Sequence, residues 1–334
     1  MLYRLLILCA ALGPLLASPD SLDSARVLVV EHPRATRSFV PQEQPVRQML
    51  RTGLLRFTAQ ENIREAWLSL VSTQDVIGIK VFSAPGAASG TRKPVVAALI
   101  ETLLEAGIAP ENLVIWDKRM IDLQLAGYKQ LAQQYHVRIA GAIDTGFDAS
   151  AAYPNQILGR LVYGDLEFNQ RGEGIGRNSH VTTLLTREIT KIINVTPLLN
   201  HNLAGVSGAL YGLGMGSVDN VLRFEEADRL AMALPEIVAR PEIFDRLALN
   251  IVDGLICQYR GEERTLLHYS TPLNQIWFSK DPVALDVLAL DEFGRQNKDR
   301  KLSSSTELIY ENAALLELGV ADRKKIRSEK IVIE

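Results

Sequence analysis

The sequence predicts an α/β protein built on a wound, mainly parallel sheet with helices on both faces. Short apolar runs alternate along the chain with segments whose apolar residues recur every three to four positions, the pattern of strands followed by helices. Between Val76 and Asp117 a strand, a helix and a second strand follow one another within about 40 residues, which fits a right-handed crossover between parallel strands. Hydrophobic residues make up 47% of the chain and charged residues 22%, the balance of a chain that can bury a core.

The chain opens with a short basic start in residues 1–4. The apolar run 5–12, the breaker Gly13-Pro14 and the small residues Ala17-Ser18 follow. These are the three parts of a secretory signal peptide, and the apolar run falls short of the roughly 20 residues of a membrane span. The expectation is a signal peptide over residues 1–18, a single α/β domain over 19–334 and a secreted or periplasmic protein. Whether the segment is cleaved or kept as an anchor stays open. Its removal takes away Cys9 and leaves Cys257, so neither an internal disulfide nor a cysteine-held cluster is expected. Burial must hold the fold.

Residues 25–30 read as the first strand, closed by His32-Pro33. Residues 44–72 are helical in character, with Val46, Leu50, Leu54 and Phe57 on one face. Thr58, with Glu61 three positions on, predicts a capping box for a second helix through Trp67 and Leu70. The strand 76–82 leads into a small-residue loop, 83–90, and Pro94 opens a helix that carries Val95, Leu99 and Leu103 and ends at Gly107. Next come a strand over 112–117, a helix through Leu125, Tyr128 and Leu131, and a strand over 137–140. Residues 141–180 are less regular, with Gly172, Gly174 and Gly176 beside Arg171 and Arg177. A strand over 191–195 runs into Asn200-His201-Asn202 and then a small-residue helix, 203–213. Strands follow at 247–253 and 275–279. Pro282 starts a helix through Leu290 and Phe293, a last helix lies near 308–318, and Ile331-Val332-Ile333 suits an edge strand. Nothing reads as a linker or a repeat.

The formal net charge is −3, the pI is near 6.0, and no long basic run precedes the C-terminal tail. Nucleic acid is therefore not an expected partner, since its binding needs concentrated positive charge. After the signal segment no apolar run is long enough to span a membrane.

Ligands of open α/β sheets bind beyond the carboxyl ends of the strands. The strand ends present Lys80, Asp117 with Lys118 and Arg119, Asn200-His201-Asn202, Asp253, and Lys280-Asp281. Gathered around one cleft, Asp117, His201, Asp281 and Lys80 would supply acid, base and charge stabilisation. Arg92 and Arg119, with Lys80, would receive a carboxylate or phosphate, and Asn200, Asn202 and Asp253 would complete the ligand contacts. The expected partner is thus a small anionic molecule, either transformed or simply bound. Structural alternatives stand beside these roles. Asp117 and Asp281 suit helix caps, Lys80 suits a buried ion pair, and His201 suits a loop hydrogen bond. His32, His136, His180 and His268 read as ordinary histidines. No cofactor is specified: GxGxxG, the P-loop, HExxH and GxSxG are all absent. Five glycines between 205 and 216 suit close packing or a tight loop better than a phosphate cradle. Asp117, His201 and Asp281 are usable ligands for a divalent cation, a third reading that no local spacing supports.

Several segments together resemble the domain-of-unknown-function family numbered 362. They are Gly78-Ile79-Lys80-Val81, Glu105-Ala106-Gly107, Ala126-Gly127-Tyr128, Ile192 to Pro197, Ala204-Gly205-Val206-Ser207, Asn220 to Phe224, Asp253-Gly254 and Asp281-Pro282-Val283-Ala284-Leu285-Asp286. The resemblance covers about residues 70–300. It implies an α/β fold and no assigned reaction. Some members carry ferredoxin-like clusters, for which this chain has no cysteines. The family pattern after the proline strand, Pro-x-Leu-Lys-x-His with a later Lys-Asn pair, is altered here. Asn200 stands in the place of the first lysine, and Tyr211-Gly212 replaces Lys-Asn. Loss of these two cations weakens any carry-over of an anion-binding or lysine-dependent mechanism to this chain. Thr91-Arg92-Lys93-Pro94 also faintly resembles the N-terminal unit of nickel-pincer lactate racemases, which bears on fold alone.

Overall fold

The computed structural model describes residues 24–170, 174–299 and 302–334; the expected signal segment, with Cys9, lies outside them, as do Arg171 and Gly172. In chain order the first elements are β1 (Ala25–Glu31), the small pair β2 (Thr36–Arg37) and β3 (Val40–Pro41), α1 (Glu43–Thr58), α2 (Ile63–Leu68), β4 (Ile77–Val81), α3 (Gly86–Ser89) and α4 (Lys93–Glu105). The parallel winding continues through β5 (Leu113–Asp117), α5 (Met120–Leu125), α6 (Tyr128–Tyr135), β6 (Arg138–Gly141) and α7 (Ala142–Thr145). A long hairpin, β7 (Phe147–Arg160) and β8 (Ile175–Thr182), precedes β9 (Lys191–His201), β10 (Gly205–Val206), α8 (Tyr211–Ser217) and α9 (Ala227–Val238). The last elements are β11 (Leu247–Gln258), β12 (Ser270–Ser279), α10 (Pro282–Gln296), α11 (Ser304–Leu315) and β13 (Ile326–Val332).

The main sheet runs β13-β1-β12-β11-β9-β4-β5-β6, and β10 folds back onto β9. Every neighbouring pair along that path is parallel except the two that involve β12. This is the wound, mainly parallel α/β sheet that the strand–helix alternation predicts. Alternate residues of each strand feed opposite faces, so β5 sends Leu113 and Ile115 to one core and Val114 and Trp116 to the other. On the first face Leu50, Leu54, Trp67, Leu99, Leu103 and Tyr128 pack on Ile79, Ile193 and Ile251. On the second, Leu213, Leu234, Val283, Leu290 and Ile309 cover Ile192, Val252 and Trp277. Each such side chain contributes roughly 1.5–3 kcal/mol by leaving water.

Four local expectations need correction. Thr58 is not a cap: it still belongs to α1, its Oγ1 donates back to the Leu54 carbonyl at 2.8 Å, and left-handed Ala59 ends the helix. Asn62 caps α2 instead, accepting from the Glu65 amide at 2.9 Å. Residues 141–180 hold the β7–β8 hairpin, whose glycines and polar residues hide its alternation. Arg223 clips it to the body by donating to the carbonyls of Tyr153, Ile157 and Arg177. The helix expected from 203 begins only at Tyr211, because β9 runs on to His201 and Asp286 takes the amides of Ala209 and Leu210, at 2.6 and 2.9 Å. Finally, β11 runs on to Gln258, past a register shift after Gly254.

Candidate functional site

Lys80 and Asp117 lie on adjacent parallel strands, with Lys80 level with Trp116, so the next residue of β5 falls beside the lysine tip. Lys80 Nζ donates to Asp117 Oδ1 at 2.7 Å and to the Val81 carbonyl at 2.7 Å, and it lies 5.5 Å from the centre of the Trp116 ring. Asp117 Oδ2 accepts from the amide and hydroxyl of Ser83 at 2.7 and 2.6 Å. Both side chains are buried. Next along the chain, Lys118 donates to the carbonyls of Met215 and Val218 at the end of α8. Burial lowers its pKa to about 8 against the pull of Asp219, Asp165 and Asp117.

Arg92, just before α4, pairs with Asp253 of β11. Its Nη1 is 3.1 Å from Oδ1, its amide donates to Oδ2 at 2.8 Å, and its Nη2 donates to the Ala88 carbonyl at 3.0 Å. Arg119 is exposed and spent on Asp122, three residues on, at 2.8 Å. Asp281 joins none of these groups. Because β12 runs against the other strands, with Ser279 level with Asn250 and Ile276 level with Asp253, its carboxyl end lies at the opposite rim of the sheet. There Asp281 caps α10 by accepting from the Ala284 amide at 2.8 Å, and it also accepts from the Val320 amide at 2.8 Å. Residues 259–269, between β11 and β12, are too few for a crossover, which fixes β12 antiparallel.

The four proposed catalytic side chains therefore do not share one hollow. Lys80 is level with Asn194 on β9, and His201 stands seven residues further along that strand, roughly 20 Å away. Beyond this projecting tip lies a cavity of about 520 Å³ lined by Asn200, His201, Asn202, Tyr259, Arg260, Tyr269, Asn297, Ser303 and Thr306, among others. Three residues expected to act, Asn200, His201 and Asn202, thus meet here.

Several polar groups of this cavity are held by internal hydrogen bonds, and several donors are left over. His201 Nδ1 accepts from the amides of Leu203 and Ala204 at 3.2 and 3.0 Å, so the ring hydrogen is assigned to Nε2. Burial lowers the pKa of His201, Glu262 pulls it upward, and the ring packs 4.0 Å from that of Tyr211. Asn200 Oδ1 accepts from the Glu262 amide at 3.1 Å, while its Nδ2 has no partner among the described residues although the side chain is 94% buried. Arg260 donates to Asn297 Oδ1 at 3.1 Å and lies 5.4 Å from the Tyr269 ring centre. Ser303 Oγ accepts from the Thr306 amide at 3.1 Å, and the Thr306 hydroxyl donates to the Leu203 carbonyl at 3.0 Å. The Glu262 carboxylate is occupied by the Asn202 amide at 2.7 Å. Asn200 Nδ2, the His201 Nε2–H and the Arg260 guanidinium remain as donors at this cavity, and the Asn202 side chain and the Tyr259 and Tyr269 hydroxyls also make no hydrogen bond among the described residues.

Sequence reasoning missed Tyr259, Arg260, Tyr269 and Asn297. The signal for the first two was present: with β11 followed to Gln258, the strand-end rule selects Tyr259-Arg260 directly. Among the described residues, no group of three or more His, Cys, Asp or Glu is arranged to hold a metal ion, and no helix is long and apolar enough to cross a membrane.

Residues 77–291 match the family model described as Domain of unknown function (DUF362). No curated protein matches the chain. A crystal structure of a Thermotoga maritima protein is similar at 15% identity and a TM-score of 0.40; the match covers 83% of this chain and 59% of that one.

Proposed function

This chain belongs to the family described as Domain of unknown function (DUF362), and on that premise we propose that it binds a small anionic molecule, a carboxylate or phosphate, in the cavity beyond the tip of β9. One observation carries the reading: Asn200 Oδ1 and His201 Nδ1 are committed to internal bonds, while Asn200 Nδ2, the Nε2–H of His201 and the remaining N–H groups of Arg260 are left to donate at one cavity. A ligand that supplies only acceptors satisfies such a surface, and charge-assisted bonds to Arg260 favour one that is ionised. Turnover of that anion is a second reading, favoured by His201. As a neutral imidazole that holds a hydrogen at Nε2, it can support developing negative charge on a ligand oxygen. We also place this binding outside the cytoplasm, on the pattern of residues 1–18; recovery of the native protein from the cytosol with Met1 retained would overturn that placement.

Asn200→Asp is the sharpest test. It keeps the acceptor for the Glu262 amide and replaces the free donor with negative charge. Titration with inorganic phosphate and with citrate, followed through the ring protons of His201 by NMR, should show saturable shifts in the native protein. In the variant the affinity should fall about tenfold or more, a change of about 1.4 kcal/mol, with the melting temperature within a few degrees. Equal binding of a neutral polyol, or unchanged anion binding in the variant, would refute the reading.

A further inference from the structure

We propose a second oxyanion-binding site, beyond the carboxyl end of β1, separate from the cavity at β9 and outside the matched residues 77–291. A cavity of about 520 Å³ opens there, lined by His32, Arg34, Arg37, Gln42, Gln44 and Gln48, among others, and no carboxylate lines it. His32 is 1% exposed, and its Nδ1 accepts from the Arg34 amide at 3.1 Å, so Nε2 carries the hydrogen. That N–H has no partner among the described residues. It is left open for an acceptor on a ligand.

Arg34 and Arg37 form no ion pair among the described residues, and the acids that adjoin the lining in sequence are paired elsewhere: Glu31 with Lys330 at 2.6 Å and Glu43 with Arg47 at 3.5 Å. The turn that carries the arginines is held by the β2–β3 pairing and by the Thr36 hydroxyl, which donates to Asn274 Oδ1 at 2.6 Å. The start of the 16-residue α1 also lines the cavity, through Gln42, Gln44, Pro45 and Gln48, and Gln42 makes no side-chain cap. The amides of Glu43 and Gln44 have no acceptor within that helix, which leaves its positive end at the cavity's lining. Two guanidinium groups, a buried imidazole N–H and a helix start converge on a ligand rich in anionic oxygen. Phosphoryl and carboxylate groups share that chemistry.

The test uses the full chain and the ring protons of His32, which are distinct from those of His201. Inorganic pyrophosphate and citrate are titrated separately. The His32 signals should shift saturably, and equally so in the Asn200→Asp variant, which separates this site from the first. A response to pyrophosphate alone assigns a phosphoryl ligand, a response to citrate alone a carboxylate, and a response to both supports the shared class. The double variant Arg34→Gln with Arg37→Gln should weaken that response about tenfold or more and leave the His201 response intact. The single variants, at exposed positions, read out the same loss if the double variant folds poorly. His32 signals that move with neither anion, or a double variant that retains native affinity, would overturn the proposal.

Discussion

Lys80 shows how a charge can sit inside a strand. Buried at full charge it would cost several kcal/mol, and removal of one member of such a pair typically costs about 3–5 kcal/mol. Asp117, the Val81 carbonyl and the Trp116 ring offset that cost, and Ser83 satisfies the far oxygen of the carboxylate. From the sequence, Lys80 stood between a strand-tip ligand contact and a buried partner; the partner was unreadable because it comes from a different strand. Asp286 is the clearer titration case. Burial lifts its pKa from an ordinary 3.8 to about 7, although the amides of Leu210 and Ala209 pull it down. Between those values the folded protein holds a proton that the unfolded chain has released. The contribution of this group to stability is therefore fully present below about pH 4 and is lost as the pH rises through about 7. Thermal unfolding followed from pH 4 to pH 8 should show this falling limb, and Asp286→Asn should flatten it; an unchanged slope in the variant would refute the assignment.

Glycines separate the helices by what they touch. In α8 a Cβ on Gly216 would lie 2.5 Å from Lys80 Cε and 2.9 Å from Nζ, so the close approach of this helix to the ion pair depends on the missing side chain. In α10 a Cβ on Gly294 would meet nothing within 4 Å. Gly216→Ala should therefore cost about 1–3 kcal/mol through overpacking. Gly294→Ala should gain about 0.5–1 kcal/mol through helix propensity. Urea unfolding of both variants checks this pair of signs, and a stabilised Gly216→Ala would refute the packing argument. The central elements, 76–140, were legible from their apolar strands and helical periods, except that the one helix expected through Leu125, Tyr128 and Leu131 is split into α5 and α6 at left-handed Gly127. The β7–β8 hairpin was not, since its hold on the body comes from Arg223, far away in sequence. The start of α8 was missed for the same kind of reason, because Asp286 on another helix sets it.

For the molecule as a whole, the sequence conveyed a wound parallel sheet and pointed to the carboxyl rim of its parallel strands. It did not convey the direction of β12, and that error moved Asp281 to the wrong rim. The cause is the length assigned to both strands: an end at Asp253 and a start at 275 leave room for a crossover, whereas the observed end at Gln258 and start at Ser270 do not. Of the candidate site, Asn200, His201 and Asn202 were found at the cavity; Lys80 with Asp117, and Arg92 with Asp253, proved to be buried pairs. The outer edge of the sheet has a consequence of another kind. β13 lies parallel to β1 over the full run from Ala25 opposite Ile326 to Glu31 opposite Val332. A pull applied between the start of β1 and the end of β13 would load all those backbone bonds in shear at once, so this seam resists tension as a lap joint does, where a hairpin edge would unzip bond by bond.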